Sequence, residues 1–348
     1  MSEWYLKAAK NIDAVMQKKA EAYQLTLTKP PGALGQLEVL ATQFSAYQST
    51  LKPRIKNIDI VIMAGDHGVA DEGVSAFPQA VTAEMVKNFA TGGAAIAVLA
   101  RQLFAELNVV NVGTVSHISD IDGVLDRRIA AGTANFCEQA AMTQEQLKSA
   151  LLVGQELVIN AMMNQAQLLI GGEMGIANTT AAACIAARLL DKTPEQMAGP
   201  GTGLNGEQVQ HKAQVIQRAL TLHSVKQPIE ILQTFGGFEI AALVGLTIAA
   251  AQAGIPVLLD GYISTAAALL AVKINPSIKP WLIASHCSAE PAHRMMLEAL
   301  ALQPLLDIGM RLGEGSGAAV AVPLLQAACL LQSEMASFAE AGVSEKSA

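Results

Sequence analysis

Aromatic residues make up only 4% of this 348-residue chain, and no cluster of lysine and arginine interleaves with them. That absence argues against a nucleic-acid partner, as does a formal net charge of -7. Anionic small molecules stay open, because one or two cations and a helix start suffice for a phosphate. The four cysteines, Cys137, Cys184, Cys287 and Cys329, show no Cys-x-x-Cys pairing and lie in segments that look buried. Reduced core thiols are expected, with the cytoplasm as the matching compartment. No signal-peptide core opens the chain, whose first stretch sets Trp4, Leu6, Ile12, Val15 and Met16 among lysines and glutamate. Repeats and low-complexity linkers are missing as well. One run, 240–259, is apolar enough to span a bilayer, with only Thr247 and Gln252 clearly polar. Gly254 and Pro256 divide it into a buried helix and the short strand Val257-Leu258-Leu259, so no membrane span is expected.

What is present is a chain 51% hydrophobic and rich in alanine and glycine, a profile that suits close packing of helices on a sheet. Residues 2–51 read as helices broken by the loop at 28–35. Beyond them, apolar runs at 58–63, 107–112, 166–170, 256–259 and 281–284 each end in small or polar residues. Alanine-rich helical stretches lie between, including 94–106, 179–190 and 239–253. This alternation predicts an α/β fold with a mainly parallel, doubly wound (Rossmann-like) sheet covered on both faces. The five polar clusters at the strands' C-terminal ends should converge on one cleft. Residues 336–348 are expected to fray after a short helix.

The stretch Met310-Arg311-Leu312-Gly313-Glu314-Gly315-Ser316-Gly317 sets one carboxylate among glycines just before an apolar helical run. Glu314 is a candidate for chemistry. The competing account is a surface loop capped by Ser316, with Glu314 solvated near the helix dipole. Pro323 suggests that the regular helix begins a few residues late. Gly65-Asp66-His67-Gly68 fits no zinc spacing and is read as a structural loop whose Asp66 and His67 hydrogen-bond the backbone. Gly171-Gly172-Glu173-Met174-Gly175 leads into a helix capped by Asn178 or Thr179, which makes either an anion or ribose site or a plain strand-turn-helix junction. It is neither a Walker loop nor a dinucleotide fingerprint. Lys212 follows the loop Gly199-Pro200-Gly201-Thr202-Gly203 and matters only if that loop folds over an anion. In Ser285-His286-Cys287-Ser288-Ala289-Glu290 adjacent residues face opposite ways, so Ser288 is given a hydrogen-bonding role and no nucleophilic one.

Together these motifs resemble the nicotinate-nucleotide:dimethylbenzimidazole phosphoribosyltransferase family. The matching stretches are Lys29-Pro30-Pro31-Gly32-Ala33-Leu34-Gly35, Ala64-Gly65-Asp66-His67-Gly68-Val69, Glu173-Met174-Gly175-Ile176-Ala177-Asn178-Thr179-Thr180 and Gly199-Pro200-Gly201-Thr202-Gly203. They continue through Gly236-Gly237-Phe238, Leu258-Leu259-Asp260-Gly261, Ser285-His286 with Ser288-Ala289-Glu290, and the Glu314 loop, in order over nearly the whole chain. The resemblance implies transfer of the 5-phosphoribosyl group of nicotinate mononucleotide to 5,6-dimethylbenzimidazole, giving α-ribazole 5'-phosphate and nicotinate. It implies Glu314 as catalytic base, and Glu173, Gly175, Lys212, Ser288, Gly201 and Gly313 around ribose and phosphate. Leu312 would border the base pocket. Phe77 and Met85, where some members carry polar side chains, would make its wall more apolar. The implied fold adds to the α/β domain (51–331) a small helical domain built from 1–50 and 332–348, assembled as a homodimer.

Elementary chemistry supports that reading. Nicotinate leaves a pyridinium as a neutral ring and needs no proton, whereas the attacking benzimidazole must lose one, so a single carboxylate suffices. Attack opposite the leaving group inverts C1', as an α product requires. No pyrophosphate departs, so neither a metal nor a cofactor has a task. Two rivals are a nucleotide glycosidase, with water as acceptor, and a non-catalytic protein that binds a nucleotide or aromatic base.

Overall fold

The computed structural model describes residues 3–118, 121–201 and 203–344. Six strands form one sheet: β1 (Ile58–Gly65), β2 (Glu106–Gly113), β3 (Val124–Asp126), β4 (Leu168–Met174), β5 (Val257–Leu259) and β6 (Leu282–Ala284). Their order is β3-β2-β1-β4-β5-β6 and every pairing is parallel. The chain winds outward first on one side of β1 and then on the other. The reversal falls between β1 and β4, the position where such sheets open a crevice. This is the doubly wound sheet the alternation predicted, with one strand more. The edge strand β3 escaped the sequence reading because its three residues are half-exposed and form no apolar run.

Strand β4 also differs from expectation: it runs through Gly171, Gly172 and Glu173, which looked like the turn beyond it. The glycines belong in the strand because other elements lie against both of its faces. A Cβ on Gly171 would sit 2.6 Å from Leu243 Cδ2, and one on Gly172 would sit 2.7 Å from the backbone of Glu314. Glu173 is thereby fixed on a buried strand and not on a loop.

The helix Phe238–Ala253 is buried almost all round, as its uniformly apolar sequence requires. It crosses the helix Gln144–Met163 at glycines: a Cβ on Gly154 would lie 2.1 Å from Ala242 O, and one on Gly245 2.2 Å from Leu151 O. Gly254 ends the helix at φ +84° and β5 follows, so the 240–259 run divides as anticipated. A second helix, Ser316–Glu334, is long and apolar enough to cross a membrane by length and composition, and most of it is buried inside the protein. It starts at Ser316 and carries Pro323 in its interior, contrary to the expected late start. The early start has a physical cause: the Asp260 carboxylate accepts from Gly315 N and Ala318 N and so caps the first turn from outside.

The two chain ends meet. Leu27 and Ser337 form an antiparallel bridge, and Gln24 Nε2 donates to Gln332 Oε1 at 2.9 Å. Lys29 and Glu38, 2.8 Å apart, close the breaker-rich loop. The final stretch, expected to fray from 336, instead forms the helix Phe338–Ala341, capped by Ser337 and tied down by the bridge to Leu27; residues 345–348 lie outside the described part.

Candidate active site

A cleft opens beyond the C-terminal ends of β4, β5 and β6, lined by glycine backbone, carboxylates and a few apolar side chains. Of the five polar clusters expected to converge there, the three that follow these strands line it; those after β1 and β2 do not. Asp66 and His67 are engaged inside the protein instead. Asp66 Oδ2 accepts from Val115 N at 2.8 Å, as expected of a loop-shaping residue. His67 Nε2 lies 2.6 Å from Glu239 Oε1 with both side chains fully buried, so the ring pairs with a carboxylate and not with the backbone. Nothing in the sequence marked Glu239 except its position at the head of an otherwise apolar helix.

Glu314 is set by an unusual turn. Gly313, Glu314 and Gly315 have φ of +87°, +63° and +74°, three left-handed residues in succession. The glycines adopt this freely, but for Glu314 it costs roughly 1–2 kcal/mol, which the surroundings must offset. Asp260 does so by holding Gly315 N at 3.1 Å and, one turn on, Ala318 N at 3.0 Å. Gly315 therefore occupies the cap position. Ser316, expected as the cap, is the first helical residue and its hydroxyl donates to Gly313 O. Glu314 is 7% exposed, so it is not a solvated surface charge, and among the described residues its carboxylate takes part in no hydrogen bond. Burial, and then the nearby Asp260 charge, push its pKa up to about 7.

Glu173 faces the same turn. Asn178 donates its side-chain amide to Glu173 Oε2 and so is not the helix cap; Ala177, at φ +73°, takes that position. Burial first, then Glu239, Asp260 and Glu314, raise Glu173 to about 8. Gly175 has no space for a side chain, since its Cβ would fall 2.4 Å from Gly65 O.

A cationic end completes the cleft. Lys212, on the helix Gly206–Leu222, is 1% exposed; its Nζ donates to Thr179 Oγ1 at 2.8 Å and to Gly199 O at 3.4 Å. Burial pulls its pKa down to about 8. Lys212 stands behind the lining and Thr179 in front of it, with Gly201 beside them: a Cβ there would lie 3.0 Å from Thr179 Oγ1 and 3.6 Å from Lys212 Nζ. Arg311 donates to Gly201 O at 3.1 Å and lines the cleft, as does Ser288, whose N–H donates to His293 Nδ1 at 2.7 Å. Thr202 of the same loop lies outside the described residues.

Glu314, Glu173, Gly175, Gly201, Gly313, Ser288 and Leu312 thus share one cavity. Phe77 and Met85 are not in its lining: Phe77 is 49% exposed and Met85 packs half-buried on the helix Ala80–Ala90. That helix reaches the site through Thr82, whose hydroxyl accepts from Ile176 N at 3.2 Å. Sequence reasoning gave no role to Asp260, His286, Glu290 or Arg311. Their signals were membership of the matching stretches and, for Asp260 and His286, position just after a buried strand.

Comparison with known proteins identifies the family. A phosphoribosyltransferase family model matches residues 9–343. A nicotinate-nucleotide–dimethylbenzimidazole phosphoribosyltransferase of Xanthomonas axonopodis pv. citri (strain 306) is 56% identical over 345 residues, 99% of either chain. One from Pseudomonas putida (strain W619) is 52% identical over 99% of this chain and 98% of its own. The crystal structure of the Thermus thermophilus protein of that name superposes with a TM-score of 0.91 at 44% identity, covering 96% of this chain and 100% of that one. With the match running from end to end in both sequence and fold, the chain belongs to the nicotinate-nucleotide–dimethylbenzimidazole phosphoribosyltransferase family.

Proposed function

We propose that this protein transfers the 5-phosphoribosyl group of nicotinate mononucleotide to 5,6-dimethylbenzimidazole, with Glu314 as the general base and inversion at C1'. One observation carries the reading: a buried carboxylate with no hydrogen bond of its own among the described residues faces the cleft at the strands' C-terminal ends, and its pKa is raised to about 7. A base is most effective when its proton affinity lies near the working pH. As the benzimidazole nitrogen bonds to C1' and the C1'–pyridinium bond breaks, the acceptor's other ring nitrogen becomes acidic and Glu314 takes its proton. The leaving nicotinate keeps the electron pair of the broken bond and needs no acid.

The other groups hold the sugar phosphate. Thr179, backed by Lys212, with Ser288 and the Gly201 backbone, receives the phosphate. Glu173, raised to about 8, is mostly protonated at neutral pH and donates to a ribose hydroxyl. Gly175 and Gly313 let the substrate approach the main chain closely. Leu312 borders the acceptor ring from the lining of the cleft, whereas Phe77 and Met85 lie outside that lining and are not assigned to it. Positioning both rings in line supplies most of the rate enhancement. A homodimer in the cytoplasm, with four free thiols, belongs to the same proposal.

The test is to incubate purified protein with both substrates and identify the product by NMR. An α-configured ribazole phosphate formed in step with nicotinate release is expected. Equal nicotinate release without benzimidazole would favour a glycosidase, and saturable binding without any release would favour a binding protein.

A further inference from the structure

We propose that Asp260 is the positioning residue of this site: from the end of β5 its carboxylate holds, through two backbone amides, the turn that presents Glu314 to the cleft. The inference rests on Glu314 acting as the base. Asp260 is buried, and its two oxygens are used separately, Oδ2 by Gly315 N and Oδ1 by Ala318 N. The first amide belongs to the residue after the base; the second lies in the first turn of the helix that follows. No cap comes from the turn itself, because the cap residue is a glycine and the Ser316 hydroxyl is committed to Gly313 O.

A buried charge is a costly way to cap a helix, since a neutral hydroxyl does nearly as well. What a carboxylate adds here is twofold. It fixes a left-handed glutamate at two points, which a hydroxyl with one proton and a short reach does not. It also places a negative charge next to Glu314, and after burial that charge is the main influence keeping the base weakly acidic. The floor of the turn is equally constrained: a Cβ on Gly315 would lie 3.2 Å from Ile170 Cγ2, and one on Gly317 2.1 Å from the His286 ring. The turn therefore cannot sink toward the sheet, and Asp260 stops it from lifting away.

Other charged groups around the turn are Glu173 from β4 with Glu239 behind it, His286 after β6, and Arg311 and Glu290 at the cationic end. Among the described residues none of these bonds the backbone of the turn, whereas Asp260 does so twice.

The experiment compares kcat and KM against pH for the wild type, Asp260→Asn and Asp260→Glu, with Glu314→Gln alongside. Asparagine keeps one acceptor, opposes the second amide with its own N–H and removes the charge. Its acidic limb should move down by about one pH unit and its plateau kcat should fall about tenfold or more, with KM for nicotinate mononucleotide within about threefold of wild type. Glutamate keeps the charge but displaces the turn, so kcat should fall while the limb stays. If the asparagine variant does not fold, the glutamate variant decides: unchanged kcat in it overturns the proposal. Proportional losses in kcat and in nucleotide binding with an unmoved limb in both variants would also overturn it, leaving Asp260 a purely structural residue. Full turnover by Glu314→Gln would instead refute the base assignment on which the inference stands.

Discussion

Gly313 and Glu173 meet edge to edge across the cleft: a Cβ placed on Gly313 would lie 2.8 Å from Glu173 Oε1. One residue thus serves two needs, since its φ of +87° begins the turn that carries Glu314 and its bare α-carbon leaves room for the second carboxylate. Gly313→Ala should displace Glu173, twist the turn and lower kcat/KM by about a hundredfold. Steady-state kinetics with both substrates varied would check this; a loss under threefold would show that the two loops move independently.

Glu314→Ala should retain the fold and nucleotide binding while turnover falls by about a hundredfold or more, the usual effect of losing a general base. Circular dichroism and calorimetric titration with nicotinate mononucleotide supply the controls. Near-normal turnover would contradict the role given to this side chain.

The raised affinities of Glu173 and Glu314 for protons have a consequence for stability. Each folded-state value, about 8 and about 7, lies above the ordinary carboxylate value of 4.5. The folded protein therefore binds more protons than the unfolded chain between pH 4.5 and about 8. Stability contributed by the protonated forms is full below that window and is lost as pH rises through it. Glu173→Gln should remove most of the Glu173 share, raising Tm at pH 9 by about 2 °C or more and changing it little at about pH 5. Thermal melts across this range would show it; equal shifts at both pH values would contradict the sign.

Lys212→Met should raise KM for nicotinate mononucleotide by about tenfold or more with a smaller change in kcat. Its ammonium reaches the anion end through Thr179 and Gly199 rather than touching the reacting atoms. A fall in kcat at constant KM would place Lys212 elsewhere in the reaction.

Phe77→Ser should leave the ranking of benzimidazole, purine and phenol acceptors unchanged, because Phe77 stands half-exposed outside the lining of the cleft. Competition between acceptors, read by product ratio, tests this. A changed ranking would return Phe77 to the wall that faces the acceptor ring.

The parts of this fold that could be read from sequence are those where burial acts on every residue of a segment. β1, β5 and the helix Phe238–Ala253 have little except apolar side chains, so composition alone marks them. Where one residue serves two elements, local pattern misleads. Gly171 and Gly172 look like a turn because glycine favours turns, yet they lie in β4 to admit a helix on one face and the Glu314 turn on the other. Pro323 suggested a late helix start because nothing near it in sequence reveals that Asp260, more than fifty residues earlier, caps the helix at Ser316. The His67–Glu239 pair was hidden for the same reason, since its partners lie on different elements. Glu314 stood out because a lone acid among glycines is a local signal.

The most direct test of the account removes the proton and not the base. With 1,5,6-trimethylbenzimidazole as acceptor, the methylated nitrogen has no hydrogen to lose when the other nitrogen attacks C1'. Single-turnover rates should show Glu314→Gln slowed about a hundredfold or more with 5,6-dimethylbenzimidazole but nearly matching wild type with the trimethyl compound. Equal slowing with both acceptors would mean that Glu314 does something other than take that proton.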